Sequence, residues 1–335
     1  MLKLLKQYKK LLVVLSFPYV YLLMILVMPT GFAGTAPGGL RNVNESFDIE
    51  GIALADQFHV VYVLSYYPLT PFLSWVMNQN PDMSINEMTA RQRDTSWADE
   101  YAASQVAKHV SYKTSIIMAY EMAALDDPGI AIDHTYAGLY VYYRPARLRE
   151  LKIGDRIIAI NGERATDHSH EDFLMMAYQD TAVWLVERDS RDGVETFAFS
   201  HVKMETDNPM LFVPNHVINS LTPHIDLPGL DSIYGGPSGG AMQTIMLYVS
   251  LVNINIGPIK IAGTGTMTMA GNVGRIGGLK EKLAAAHDAK VDIFLVPEAH
   301  RNDVPDREYG FEIIYIDNTE DIRNVIGALH DNHVE

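Results

Sequence analysis

The reactive chemistry of this chain is concentrated in two short runs. In Gly235-Gly236-Pro237-Ser238-Gly239-Gly240 a single serine stands among glycines. Glycine adopts backbone conformations closed to other residues, so the chain can bend sharply here and approach a substrate closely. The segment that follows, Ala241 to Val252, is strongly apolar and suits a buried helix. A serine at such a turn has an exposed oxygen with backbone N–H groups beside it, the donors that a tetrahedral oxyanion needs. Taken alone, a glycine-flanked serine is a weak signal, because most such serines sit in ordinary loops.

The second run supplies a partner. Residues 264 to 282 read TGTMTMAGNVGRIGGLKEK and continue LAAAHDAKVDIFLVPEAHRNDV. A glycine-rich strand and turn lead into a helix starting near Leu279, and a strand from Val291 to Val296 follows. On that helix Lys282 shares a face with Leu279, Ala285, Ala286 and Ala289. Lys280 points elsewhere, although Leu283 and Ala284 beside it are also apolar, so helical geometry favours Lys282 only mildly. A lysine held against small apolar residues loses solvation. Its pKa then falls toward values at which the neutral amine acts as a base.

Several other chemistries are excluded. The chain has no cysteine, which removes disulfides, thiolate metal sites and a cysteine nucleophile together. His168-Ser169-His170 lacks further ligands at metal-binding spacing and reads as a polar loop, so neither a metal nor a cofactor is expected. No GxxxxGK[ST] run occurs, so no nucleotide partner is expected. Against 41 acidic residues stand 26 lysines and arginines, and four of the lysines (Lys3, Lys6, Lys9, Lys10) lie in the first ten positions. The strongly acidic remainder repels phosphate backbones, which argues against nucleic-acid binding.

The elements that must position Ser238 and Lys282 can be sketched from patterning. Residues 11 to 28 carry no charge, and at ~1.5 Å per residue they reach ~27 Å, close to the ~30 Å hydrocarbon core of a bilayer. The basic cluster before this span places the N-terminus in the cytoplasm and the body outside. Cleavage as a signal peptide is the competing reading, since small residues follow at Gly31, Ala33, Gly34 and Ala36. Residues 29 to 45, rich in Gly, Pro and Thr, read as a linker, and the folded part is expected to start near Phe47. Ser96 caps a helix that runs through Met122, and the Met118, Met122, Ala123 stripe on it reads as core packing. Short strands follow from Ile130 to about Lys203, with an Asn161-Gly162 tight turn and a helix capped by Ser169.

Together the runs GPS-small-Gly, TG at 264 and 265, and GGLKEK at 277 to 282 resemble the proteolytic domain of the Lon family over about residues 204 to 335. The resemblance implies Ser238 as nucleophile, Lys282 as general base and Thr264 as the residue supporting the lysine, with Gly236, Pro237 and Gly239 shaping the turn. Gly239 stands where that family usually has alanine, Arg275 where proline is common, and Thr266 where ATP-driven members carry glutamate. Ala137-Gly138-Leu139-Tyr140 and LKIGDRIIAINGE at 151 to 163 resemble a bacterial PDZ domain, which implies a peptide adding as a strand beside Tyr140 to Tyr143 with its carboxylate near Gly138.

The layout as a whole is similar to membrane-anchored PDZ–Lon-like proteases of Gram-positive bacteria. The expected fold class is α+β: a transmembrane helix (1–30), a linker and N-terminal ectodomain segment packing with the protease (31–129), a PDZ-like small β-barrel with a helix (130–203), and a Lon-type α/β proteolytic domain (204–335). The implied function is ATP-independent serine endopeptidase action on extracytoplasmic peptides, unfolded proteins or membrane-tethered proteins by a homo-oligomer. Two alternatives compete. One is a catalytically silent PDZ adaptor or holdase. The other is an α/β-hydrolase using Gly236-Pro-Ser238-Gly-Gly240 as its nucleophile elbow, with His287, His300 or His330 as base. The topology has a direct test: protease added to intact cells should degrade the chain after Thr30 and spare the N-terminal lysines, whereas a protected C-terminal half would overturn the orientation.

Overall fold

The computed structural model describes residues 8–204, 209–227 and 236–334. Its N-terminal part comprises helix α1 (Lys9–Val27), strands β1 (Phe32–Asn42) and β2 (Phe58–Tyr66), helix α2 (Pro71–Met77), strand β3 (Ser84–Glu87), helix α3 (Ala90–Asp94) and helix α4 (Trp97–Ala124). The middle part comprises β4 (Ala131–Tyr143), β5 (Arg156–Ile160), β6 (Glu163–Arg164), helix α5 (His170–Ala177), β7 (Thr181–Ser190), β8 (Gly193–Val202) and β9 (Leu211–Thr222). The last part comprises α6 (Gly240–Val252), β10 (Ile261–Gly263), β11 (Thr266–Met267), β12 (Val273–Gly274), α7 (Leu279–Asp288), β13 (Ile293–Pro297), β14 (Glu312–Ile316) and α8 (Thr319–Val334). The result is a mixed α/β architecture.

Local signals place the helix starts. The side chains of Ser96 and Ser169 accept the backbone N–H groups of Asp99 and Asp172, which gives the first turns of α4 and α5 an acceptor for an otherwise unpaired donor. Helix α1 is apolar and long enough to cross a membrane, at 19 residues.

A six-stranded sheet in the order β14-β13-β10-β2-β1-β3 carries the C-terminal motifs. Strands β14, β13, β10 and β2 run parallel, whereas β1 is antiparallel to β2 and β3. Both faces of its centre are covered, as the unbroken apolar run of β13 requires. Ile293 and Leu295 join Phe58, the inner face of α4 and nearly all of α6 in one core. Phe294 and Val296 face the other way, with Val61, Leu279, Leu283 and Ala286. Helix α6 is therefore buried on almost every side, in keeping with its continuous hydrophobicity.

Two expectations are corrected. The stretch read as a linker from 29 to 45 contains β1, an eleven-residue strand hydrogen-bonded on both sides. Its glycines serve close packing rather than flexibility. A Cβ on Gly34 would lie 2.5 Å from Met77 Sδ, and one on Gly38 would lie 2.3 Å from the Tyr62 carbonyl oxygen. The folded part thus begins before Phe47, and β1 and β2 lie in the same sheet as β10, β13 and β14.

The second correction concerns the expected peptide-accepting edge. The other sheet runs β8-β7-β5-β4-β9, with β6 pairing β5. It encloses a separate core around Trp184, Phe173, Leu139 and Ile157. Strand β4 is paired with β5 at Leu139 and Tyr140 and with β9 along nearly its whole length, including Tyr140↔Val213 and Tyr143↔Leu211. On the β9 side the backbone of Tyr140 to Tyr143 is therefore taken, and a peptide cannot join there. Gly138 sits at a bulge with φ +119°, and a Cβ there would lie 2.1 Å from the Ile157 carbonyl oxygen, so this glycine closes the sheet on itself.

Asp155, the aspartate of the Gly154-Asp155 turn, is buried and held by Arg188 at 2.7 and 2.6 Å and by the Lys152 N–H at 2.7 Å. Removing its cation leaves an uncompensated carboxylate inside the sheet. Arg188→Met should therefore destabilise this unit by about 3 kcal/mol, the low end for a broken buried pair because the arginine keeps some solvent contact. Urea unfolding followed by fluorescence of the buried Trp184 checks it, and a change below about 1 kcal/mol would show the pair to be dispensable.

Candidate active site

Ser238 lies in the single turn Pro237–Gly239 that runs directly into α6. Proline at the start of this turn needs no hydrogen bond to its own nitrogen, and Gly236 enters it fully extended. Gly239 donates its N–H to the Gly236 carbonyl at 3.1 Å, and Ala241 donates to the Gly265 carbonyl at 3.0 Å. The Ser238 carbonyl accepts from the Gly265 N–H at 2.8 Å and from the Thr264 hydroxyl at 3.0 Å. The serine turn is thereby stitched to the strand end at Gly263, and the positive end of the α6 dipole faces the serine.

Lys282 reaches the same point from the opposite layer. Gly278 begins α7 in a left-handed conformation, φ +69°, with its Cα packed toward Val63. Leu279, Leu283 and Ala286 seat the helix on the sheet and aim Lys282 across it. Its Nζ stands 2.9 Å from Ser238 Oγ and 2.8 Å from Thr264 Oγ1. The side chain is 2% exposed, and burial lowers its pKa from 10.5 to about 8. Thr264, fully buried, donates its own proton to the Ser238 carbonyl and so presents a lone pair to the amine. Lys280 Nζ instead donates to the Met83 carbonyl at 3.1 Å, away from the serine.

A cleft of about 380 Å³ opens over Ser238 and Lys282. One wall is Gly236, Gly239 and Gln243; the other is the second half of β2, Val60 to Leu64, with Arg41 and Tyr112. A Cβ on Gly239 would come within 3.1 Å of Val60 Cγ1, so alanine would fit there only tightly. Gln243 is buried, and its side-chain oxygen lies 3.0 Å from the Ser115 hydroxyl of α4.

Residues 193–328 match the Lon protease (S16) C-terminal proteolytic domain. The curated relatives include the Lon protease of Nitratidesulfovibrio vulgaris, 34% identical over 106 residues, and that of Acinetobacter baumannii, 36% over 103 residues. Lon protease 1 of Myxococcus xanthus is 33% identical over 109 residues. These alignments cover 30–32% of this chain and only 12–13% of each relative. The match begins at Gly193 and therefore takes in β8 and β9, upstream of the boundary expected at 204.

The other candidates fall elsewhere. His287 lies against the Tyr309 carbonyl, His300 is held by Asp303 and by the Ile276 N–H, and His330 lies against the Asn255 carbonyl. The group that contacts Ser238 is an amine and not an imidazole. Asp231 and Tyr234, just upstream of the serine and given no role by the sequence, lie outside the described residues. His168 pairs with Glu163 at 2.8 Å, and among the described residues no cluster of metal-ligating type forms around it. Arg275 bonds the Ala299 carbonyl and Asp303, at the rim of the domain rather than in the cleft. Sequence reading missed Arg41, Tyr62, Tyr112 and Gln243, which line the cleft through folding alone and carry no local motif.

A buried lysine with a depressed pKa weighs against the fold wherever it is protonated. The penalty is complete below pH 8 and disappears as the pH rises past 10.5, a span equivalent to about 3 kcal/mol. Lys282→Met is thus expected to raise stability at pH 7 by about 1–3 kcal/mol, the loss of two hydrogen bonds offsetting part of the gain, and to give little advantage above pH 10. Denaturant midpoints at the two pH values test this; a destabilised Lys282→Met at pH 7 would contradict the burial argument.

Proposed function

We propose that this chain is a serine endopeptidase in which Lys282 activates Ser238, and that it hydrolyses extracytoplasmic peptides and unfolded or membrane-tethered proteins without ATP. The observation that carries the reading is the Nζ–Oγ distance of 2.9 Å, made by an amine whose pKa is lowered to about 8. Neutral Lys282 takes the Ser238 proton while the serine oxygen attacks the scissile carbonyl, and the resulting ammonium returns the proton to the leaving amine. Water then attacks the acyl carbonyl and gives a proton to Lys282, which passes it to Ser238 Oγ as the ester bond breaks and the acid leaves. Thr264 holds the amine in line by accepting one of its N–H groups. Backbone N–H groups at the head of α6 are assigned to the oxyanion.

Substrate is assigned an extended conformation. Pairing of β10 with β2 ends at Gly263↔Val60, yet β2 continues to Tyr66 along the cleft. A substrate strand laid against Val61 to Leu64 would continue the sheet and bring its backbone to Ser238. Recognition by a PDZ-type unit at 130–203 belongs to the same proposal, but not through the filled edge of β4. Support for it comes from an apolar cavity of about 400 Å³ that includes Leu148, Ala177, Tyr178, Met210 and Phe212. The anchor is assigned to α1, and assembly into a homo-oligomer follows from likeness to the Lon proteolytic domain.

Arginine at position 282 keeps the charge but cannot be deprotonated. Lys282→Arg should abolish peptide hydrolysis as fully as Ser238→Ala, Thr264→Ala should reduce it, and Lys280→Arg should leave it near the parent rate. In the parent, kcat/KM should climb about tenfold per pH unit until it levels near pH 8. A folded Lys282→Arg protein cleaving near the parent rate would refute the assignment.

A further inference from the structure

The body of the protein exposes a group of large aromatic side chains near the end of α1. Phe72 (44% exposed) and Trp75 (61%) project from α2, with Phe32 and Tyr66 beside them at the ends of β1 and β2. Trp97, 82% exposed, stacks on Tyr101 at the start of α4, with ring centroids 6.1 Å apart. Tyr67, next to Tyr66, has its pKa raised by burial and then by the nearby carboxylate of Glu100, the neighbour of Tyr101. Large aromatic rings left in water are unfavourable, and tryptophan and tyrosine are the residues that gather where hydrocarbon gives way to lipid headgroups.

The chain path says what covers this surface. Helix α1 ends at Val27, and three residues later Thr30 donates its backbone N–H to the Leu69 carbonyl at 2.7 Å, while Leu69 N–H returns to the Phe32 carbonyl at 2.8 Å. Thr70, the next residue, caps α2, and α2 lies against the end of α1. The aromatic surface is thus fixed beside the exit of the apolar span. Arg93 is directed to the Met88 carbonyl and Arg91 lies over the Tyr142 ring, so the groups offered at this surface are chiefly aromatic.

We propose that α2 and the Trp97–Tyr101 pair rest in the headgroup region of the bilayer that α1 crosses, so that the Ser238 cleft faces segments close to the membrane. This rests on the anchored-protease reading above and narrows its macromolecular substrates. Leu64 lines the cleft and only four residues separate it from Leu69, a path of at most roughly 18 Å, so the cleft lies within roughly 20 Å of the α1 exit. Accessible substrates are membrane-tethered chains whose scissile bond lies within a few residues of their own span.

The full chain has only three tryptophans, Trp75, Trp97 and Trp184, and the last is buried in the core of the other sheet. Trp97→Phe and Trp75→Phe variants are reconstituted into phosphatidylcholine vesicles with bromine at shallow acyl positions. Trp75 and Trp97 should each lose about half of their emission or more, and Trp184, examined in the double variant, should lose little. Phe72→Glu combined with Trp75→Glu should relieve quenching of Trp97, spare hydrolysis of a soluble peptide and slow cleavage of a short membrane-tethered peptide several-fold. Unquenched Trp75 and Trp97 in a chain that resists carbonate extraction and still cleaves soluble peptide would overturn the docking alone. Quenching lost when vesicles hold a single copy each would overturn it in favour of a second copy of this chain. Carbonate extraction of the chain would remove the anchor and the docking together, and a soluble peptide left uncut would remove the protease reading instead.

Discussion

A lysine amine brought out of water beside a serine hydroxyl is the constraint on which the rest of this structure depends. Among the described residues Lys282 hydrogen-bonds only neutral partners, the hydroxyls of Thr264 and Ser238, and desolvation is the cause of its lowered pKa. A carboxylate at the same distance would have reversed the shift and kept the charge. The apolar packing of α7 is therefore what sets the state of the amine. Leu279, Leu283 and Ala286 hold the helix to the sheet, and the same close contact excludes the water that would otherwise solvate the ammonium.

Placing that amine requires elements far apart in the chain. The serine arrives on a turn ahead of α6, the threonine on the end of β10, and the lysine on α7, which packs on the opposite face of the sheet. Backbone bonds from Gly265 and the hydroxyl of Thr264 to the Ser238 carbonyl join the first two, so a shift of either would be felt at once by the other. The cleft above them is closed by β2 and by Tyr112 of α4, both from the first third of the chain. Residues 193–328 carry the family likeness, yet one wall of the cleft lies outside them.

The second sheet shows how a local resemblance and a tertiary arrangement can part company. Ala137 to Tyr140 has the order of a carboxylate-binding loop, and the GD turn at Gly154-Asp155 forms, with Asp155 locked by Arg188. Strand β9 nevertheless lies against β4 where a peptide would have been added. This strand enters from beyond the expected boundary at 203, so reading residues 130–203 as a self-contained unit could not reveal its occupant.

What the sequence determined by itself was whatever is encoded within a few residues or by periodicity. The glycine-flanked serine, the capped starts of α4 and α5, the Asn161-Gly162 turn, the apolar character of α6 and the favoured face of Lys282 all rest on local conformational preference or on the 3.6-residue period. The strand at Phe32 to Asn42 escaped because Gly34, Gly38 and Pro37 are residues that disfavour strands in isolation, and only the side chains of Met77 and Tyr62 packed over them explain their use. The pairing of β9 with β4, the wall formed by Val60 to Leu64, and the contact between Lys282 and Ser238 join residues dozens to hundreds of positions apart. Such contacts are decided by packing in three dimensions, where buried area and hydrogen-bond geometry select one arrangement among many that the local patterns allow equally.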